Sequence, residues 1–162
     1  MVQTLSIRPL VPEDWADVAR IYAAGLETGV ASFETCVPSW EEWDAGHLEA
    51  PRLAAETGGT VSGWTALSPV SPRECYRGVV EHSVYVDPGV QGRGIGKALL
   101  LRLLADAPAH GIWTIQTSII ASNGASLRVH EAAGFRVVGR RERIAQRDGV
   151  WHDTILLERR LA

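Results

Sequence analysis

Gln91-Gly92-Arg93-Gly94-Ile95-Gly96-Lys97 is the stretch on which the reading of this chain turns. Counting from Gly89, four glycines fall within eight positions. Before it lies Val79 to Val86, rich in β-branched residues, which reads as a strand stopped by Asp87-Pro88-Gly89. After it, Ile95 to Ala107 is leucine-rich and reads as a largely buried helix. A turn between a strand and a helix leaves the first helical N–H groups unpaired, at the positive end of the helix dipole. Without side chains in the way a phosphate can approach that backbone, so the pattern points to an anion site. The plainer alternative is a tight structural turn. Two familiar phosphate loops fail on spacing. Anchoring a P-loop on Gly96-Lys97 puts Gln91 at its first glycine and Ala98 at its hydroxyl position. A dinucleotide fingerprint started at Gly92 or Gly94 puts Lys97 or Leu99 at its third glycine.

Working outward, Leu5 to Val11 reads as a first strand, and Pro12, Glu13 and Asp14 open a helix. Trp15, Val18, Ala19, Tyr22 and Leu26 form one apolar stripe along it. Ser39 with Glu42 is a capping box for a second helix, in which Trp40, Trp43 and Leu48 are available for burial. Arg52 to Glu56 and Val61 to Ser68 are strands around a Gly58-Gly59 turn, and Ser68 to Gly78 is a loop. Beyond the long helix come a strand from Trp113 to Ile120, a short helix from Asn123 to Ala133, and a strand from Gly134-Phe135 to Arg147. Asp148-Gly149 is a hairpin turn, returning antiparallel through Val150 to Glu158. The order β-α-α-β-β-β-α-β-α-β-β predicts one α/β domain over residues 1–162, with a crossover helix after the glycine turn.

The bulk properties exclude more than they assign. A chain of 162 residues with 46% hydrophobic content has room for a real core. Its net charge of -3 gives no overall footprint for nucleic acid or anionic membrane. Cys36 and Cys75 make neither a disulfide framework nor a metal-type spacing, so no metal is expected. The N-terminus has no secretory pattern and no segment has the length of a membrane helix. A cytoplasmic protein is the expectation.

Gln91, Gly94 and Gly96 satisfy Q-x-x-G-x-G, and here the chain resembles the GCN5-related N-acetyltransferases. The resemblance extends through Ala31-Ser32-Phe33-Glu34, Tyr76 to Val86, Asn123, His130 to Phe135, and Gly149-Val150-Trp151-His152-Asp153. Within that superfamily it is most similar to the phosphinothricin and methionine sulfoximine acetyltransferases. The resemblance implies a mixed, mostly antiparallel sheet, splayed at its centre and flanked by helices. It implies acetyl-CoA as donor, its pantetheine arm pairing with the backbone of Val84, Tyr85 and Val86 and its diphosphate on the amides of Gly92, Arg93, Gly94, Ile95, Gly96 and Lys97, after Gln91. It further implies a homodimer and, as acceptor, the α-amine of a small amino-acid analogue such as phosphinothricin, methionine sulfoximine or methionine sulfone. A protein N-terminal acetyltransferase and a non-catalytic acyl-CoA sensor are the rival readings.

The chemistry then selects residues. An amine that is protonated at neutral pH cannot attack a thioester, so a base is needed, and Glu81 is the candidate, acting directly or through water. Strand alternation puts Glu81, Ser83 and Tyr85 on one face and His82 on the other, as a core or interface histidine. A backbone N–H near Val84 or Tyr85 would support the oxyanion. Asn123 is a helix cap, a contact to the arm, or both. His130 stands where many family members carry a tyrosine acid; its readings are an acid, a coenzyme contact, or helix packing. Phe33, Glu34, Arg73 and Arg77 are candidate acceptor residues, the arginines for an acidic group. Val70-Ser71-Pro72-Arg73 departs from the family's arginine-before-proline pattern, which leaves the acceptor's identity open. Arg136, Arg140, Arg141, Arg143 and Arg147 read as a solvated strand edge. Trp151 and Asp153 read as packing or interface residues, with an active-site role left open.

Overall fold

Alternating apolar residues and two glycine-bearing turns dictate most of the architecture. The computed structural model describes residues 2–161. Its elements are β1 (Leu5–Pro9), α1 (Trp15–Glu27), α2 (Trp40–Gly46), β2 (Leu53–Thr57), β3 (Thr60–Pro69), β4 (Val79–Val86), α3 (Ile95–Asp106), β5 (Thr114–Ile120), α4 (Gly124–Ala132), β6 (Arg136–Arg147) and β7 (Val150–Arg160). They occur in the expected order. One sheet of seven strands runs β1-β2-β3-β4-β5-β7-β6. Every neighbouring pair is antiparallel except β4 and β5, which α3 joins as a crossover.

The two tight hairpins form where their residues tolerate the left-handed region. Gly58 and Gly59 have φ of 60° and 80°, and Asp148 and Gly149 have 51° and 78°. The first strand is shorter than expected. Val11 sends its N–H 2.9 Å to the Asp14 carboxylate, not into the sheet, so Pro12–Asp14 forms a 3₁₀ turn before α1. The capping box of α2 is present, with Glu42 N donating to Ser39 Oγ and Ser39 N donating to the Glu42 carboxylate.

Each face of the sheet buries its own core. Leu99, Leu100 and Leu103 of α3 pack with Leu67, Val80, Ile115 and Leu157 on one face. On the other, Val18 and Ile21 of α1 and Trp43 of α2 pack on Trp64 and Ala66. β4 serves both: Val80, Val84 and Val86 meet the α3 side, while Tyr85 joins the α1 side. That alternation gives β4 a different chemistry on each face.

Candidate active site

β4 is held unevenly. It pairs with β3 along its whole length, from Val80 opposite Pro69 to Val86 opposite Gly63. With β5 it pairs only at Val79–Thr114, Val80–Ile115 and Glu81–Gln116. β5 itself stays on β7 up to Ile120. The two central strands therefore fork immediately after Glu81, and the backbone groups of Val84 and Val86 face a gap, not a strand, while those of Tyr85 turn the other way to Trp64 on β3, as Asp87 N does to Ser62 O.

The glycine turn closes the far end of β4. Asp87 caps a 3₁₀ turn over Pro88–Val90, accepting from Gly89 N at 2.9 Å. Gln91 is extended, and Gly92 and Gly94 then take φ of 79° and 78°, a region that only glycine enters cheaply. Gly94 is the N-cap of α3 and supplies no side-chain acceptor, so the leading amides of the helix lack an internal partner. Gly96 lies against β4, where an added Cβ would sit 3.4 Å from Val86. Gln91, Gly92, Arg93, Gly94 and Lys97 are exposed, while Ile95 is buried as the anchor of the helix. Together these features make an accessible anion cradle at one end of the fork. An open hollow of about 520 Å³ lies between Arg93 and Ile95 and the β1–β2 edge at Leu5 and Thr57, on the side away from β5 and apart from the fork.

At the other end sits Glu81, half-buried at the last paired rung. Burial pushes its carboxyl above the usual carboxylate range, against a hydrogen bond from Gln116 and the charge of Arg141. Tyr85, on the same face, stacks on Trp64 at 5.1 Å and meets Tyr22 edge-on at 4.9 Å. Burial above all, helped by the charge of Glu34, pushes both tyrosine hydroxyls up. Glu34 itself is exposed; its N–H donates to Ser32 Oγ at 3.1 Å, and Ser32 hydrogen-bonds Tyr85. Its loop is tied down at three places: Asn123 Nδ2 donates to Val30 O at 3.3 Å, Arg147 donates to Ser32 O at 2.8 Å, and Phe33 packs on His152 at 5.8 Å. The loop thereby brings Phe33 and Glu34 to the face that carries Glu81 and Tyr85.

Other expected residues fall differently. Asn123 is the cap of α4, accepting from Ser126 N at 3.2 Å, while one of the two N–H groups of its side-chain amide goes to Val30 O. Arg73 lies over Tyr76, and Arg77 lies over Trp113 and pairs with Glu74. These are surface contacts, the Arg77 and Glu74 side chains being 63% and 86% exposed, so both guanidinium groups stay accessible. His130 is buried at 2% exposure, with Nδ1 2.6 Å from Ser126 O and Nε2 2.9 Å from His82 Nε2. With both nitrogens engaged within the protein, this arrangement accords with the packing reading, one of the three the sequence left open beside an acid and a coenzyme contact. His82 is buried on the face opposite Glu81, as alternation predicts.

One residue of this face was hidden in the sequence. Arg141 pairs in register with Thr154, which in turn pairs with Ile120, on the side of the sheet shared by Gln116 and Glu81. Its neighbours are occupied: Arg136 by Glu158, Arg140 by Asp153, Arg143 by Trp151 and Arg147 by backbone carbonyls. Arg141 has no ion-pair partner among the described residues. A bulge between Arg141 and Ala145 breaks the alternation that would have shown which way it faces.

The family model for the acetyltransferase (GNAT) family matches residues 15–135, which contain the fork, the glycine turn and Glu81. The chain belongs to the GNAT acetyltransferase family. As a member it is an acetyl-CoA-dependent N-acetyltransferase. The phosphinothricin N-acetyltransferase of Alcaligenes faecalis is 34% identical over 163 residues, covering 96% of this chain and 82% of that protein. An L-methionine sulfoximine/L-methionine sulfone acetyltransferase of Salmonella typhimurium strain LT2 is 34% identical over 114 residues, covering 70% and 67%. The solved phosphinothricin acetyltransferase of Sinorhizobium meliloti, in complex with acetyl-CoA, superposes with a TM-score of 0.87 at 32% identity, covering 100% of this chain and 90% of that one. No helix of this GNAT chain is long and apolar enough to cross a membrane, among the described residues.

Proposed function

We propose that the chain, as a single domain, transfers acetyl from acetyl-CoA to the α-amine of a small acceptor that carries an acidic group, of the phosphinothricin, methionine sulfoximine or methionine sulfone type. The observation that carries this reading is the fork itself: β4 leaves β5 at Glu81, and an exposed turn with left-handed glycines stands at its end. In this reading the amides of Gly92 to Lys97 hold the diphosphate, beside Gln91. The free backbone groups of Val84 and Val86, on either side of Tyr85, pair with the pantetheine amides as a guest strand would. Glu81 takes the proton from the acceptor amine, directly or through water, with its raised pKa bringing it nearer the working pH. A backbone N–H at the start of the gap supports the oxyanion. The thiolate leaves unaided, since a thiol pKa near ~8.5 makes it a competent leaving group.

The acceptor lies between Glu81 and the loop of Phe33 and Glu34. Arg141, which has no ion-pair partner among the described residues, supplies the charge for the acceptor's acidic group, in place of Arg73 and Arg77. The relatives named for phosphinothricin and for methionine sulfoximine and sulfone support a small amino-acid-like acceptor, whose carboxylate is the acidic group. We place the chain in the cytoplasm as a homodimer. The exposed Val137, Val138, Ile144, Val150 and Trp151 on the outer hairpin β6–β7 support that assembly.

A thiol-release assay tests the reading, with acetyl-CoA and a panel of phosphinothricin, methionine sulfoximine, methionine sulfone, ordinary amino acids, their amides and a short peptide. Release is expected with the free amino-acid analogues. Release with the peptide alone, or with no amine at all, overturns it.

A further inference from the structure

His82 and His130 stand 48 residues apart in sequence and meet inside the core, Nε2 to Nε2 at 2.9 Å. Their rings lie within 9° of parallel, and Phe135 packs edge-on to both. His82 is 5% exposed and His130 2% exposed. The hydrogen atoms of this pair follow from its surroundings. Ser126 O can only accept, so the His130 Nδ1 2.6 Å away carries a hydrogen. In the neutral ring Nε2 is then a bare lone pair, and the hydrogen between the two rings belongs to His82 Nε2. That leaves His82 Nδ1 bare, and it has no partner among the described residues. The reverse assignment fares worse. It would set a bare His130 Nδ1 against a carbonyl oxygen 2.6 Å away, with only the Ser126 hydroxyl at 3.4 Å to act as a donor there.

We propose that His82 is a positioning residue for acetyl transfer: its Nε2–H, donated to His130 Nε2, fixes that ring's tautomer and with it the seat of α4 beside the fork of β4 and β5. This rests on the acetyl-transfer reading above. The link matters because of what its two ends carry. His82 lies on β4 directly after Glu81, the last rung paired to β5. His130 lies on α4, the helix capped by Asn123 three residues after β5 ends. A hydrogen bond running from β4 to α4 thus spans the two sides of the gap that receives the acyl donor. Burial, and for His82 the facing ring, hold both imidazoles below their ordinary pKa, so the pair is neutral and the donor–acceptor order persists at working pH. In this account His130 orients and gives up no proton.

Two full-length variants separate this from ordinary core packing. His82→Leu keeps the bulk and removes the donor; His82→Gln keeps a donor N–H at nearly the same reach. The expected result is a KM for acetyl-CoA raised about tenfold in His82→Leu, with the acceptor KM unchanged, and recovery to within about twofold in His82→Gln. A merely structural role lowers the active fraction, hence apparent kcat, and leaves KM alone. ¹⁵N NMR of the wild-type histidines reads the tautomer directly, with His130 expected to carry its hydrogen on Nδ1. A wild-type spectrum with the His130 hydrogen on Nε2 overturns the proposal. So does a folded His82→Leu protein with wild-type KM. Should His82→Leu not fold, His82→Gln and the spectrum decide, and a His82→Gln protein that binds acetyl-CoA as poorly as an unseated helix would require overturns the proposal equally. Failure of the wild type to bind coenzyme A or release thiol would strike the acetyl-transfer reading and leave the tautomer result standing by itself.

Discussion

Acid should weaken this fold through His82, and the size of the effect follows from where the ring lies. Burial first, then the facing His130, holds its pKa down at about 3, against about 6.5 in an unfolded chain. Between those values the unfolded chain binds a proton that the folded one refuses. The penalty is therefore absent above the unfolded value, grows as pH falls below it, and levels off near the folded value. At about pH 5, some ~1.5 units below the unfolded pKa, one such ring costs RT ln(1 + 10^1.5), about 2 kcal/mol. His130, also lowered by burial, adds in the same direction. Glu81, whose pKa is raised, works in the opposite direction, because the folded state there holds its proton more tightly. Asp14, Asp87 and Asp153, all lowered by hydrogen bonds, lose their contributions further into acid. Comparing wild type with His82→Gln cancels all the groups the substitution leaves alone. Urea unfolding followed by tryptophan fluorescence, at about pH 8 and about pH 5, should show wild type losing about 2 kcal/mol more than the variant. Equal losses in the two proteins would refute the buried neutral pair.

Glu81→Gln should lower kcat by about 10²- to 10⁴-fold with little change in acetyl-CoA KM, as removal of a base does. In the wild type, activity should rise with pH along a limb above the ordinary carboxylate range, because Glu81 must be ionised to accept a proton; the glutamine variant should lose that limb. Gly94→Ala meets no neighbour within 4 Å, so its effect comes from φ alone. The strain of about 1–2 kcal/mol should rotate the cradle amides and raise the acetyl-CoA KM up to about tenfold, leaving the acceptor KM unchanged. Arg141→Leu should raise the KM of acceptors with a free acidic group by about 10- to 100-fold, the worth of a charged hydrogen bond. Acceptor amides should be indifferent to it, and initial-rate kinetics on matched acid and amide pairs would show whether they are.

What the sequence revealed was what is local. The turn at Gln91–Lys97 is legible because strand, glycines and helix are consecutive, and the two hairpins are legible because their turn residues are. Alternation along β4 sorted Glu81 from His82 correctly. It could not show that His82 would meet His130, since that contact depends on where α4 settles after an intervening helix and strand. Position in a motif left an acid among the readings of His130, whereas its actual partners, a carbonyl and a second imidazole, are set by tertiary packing. For Arg73 and Arg77 a loop sequence does not show which aromatic ring will lie beneath each guanidinium. Arg141 looked like one of five surface arginines, and two register shifts in β6 removed the period that would have singled it out.

The fork is where stability and function trade against each other. β4 keeps seven register pairs with β3 but only three with β5, although β5 keeps seven with β7. Backbone groups left without a strand must find another partner, in water or in a bound chain. The strand stays in place because Val84 and Val86 pack toward α3 and Tyr85 is locked between Trp64 and Tyr22. An extended ligand carrying amides can then complete the missing pairs without moving the protein. In the proposed reaction, where pairing stops also sets where the proton is taken. Glu81 is the last residue that β5 holds, so the carboxylate stands rigidly at the vertex, while the groups immediately beyond it are free to bind. A base one rung earlier would face a closed sheet, and one further along would stand on a strand held from one side only.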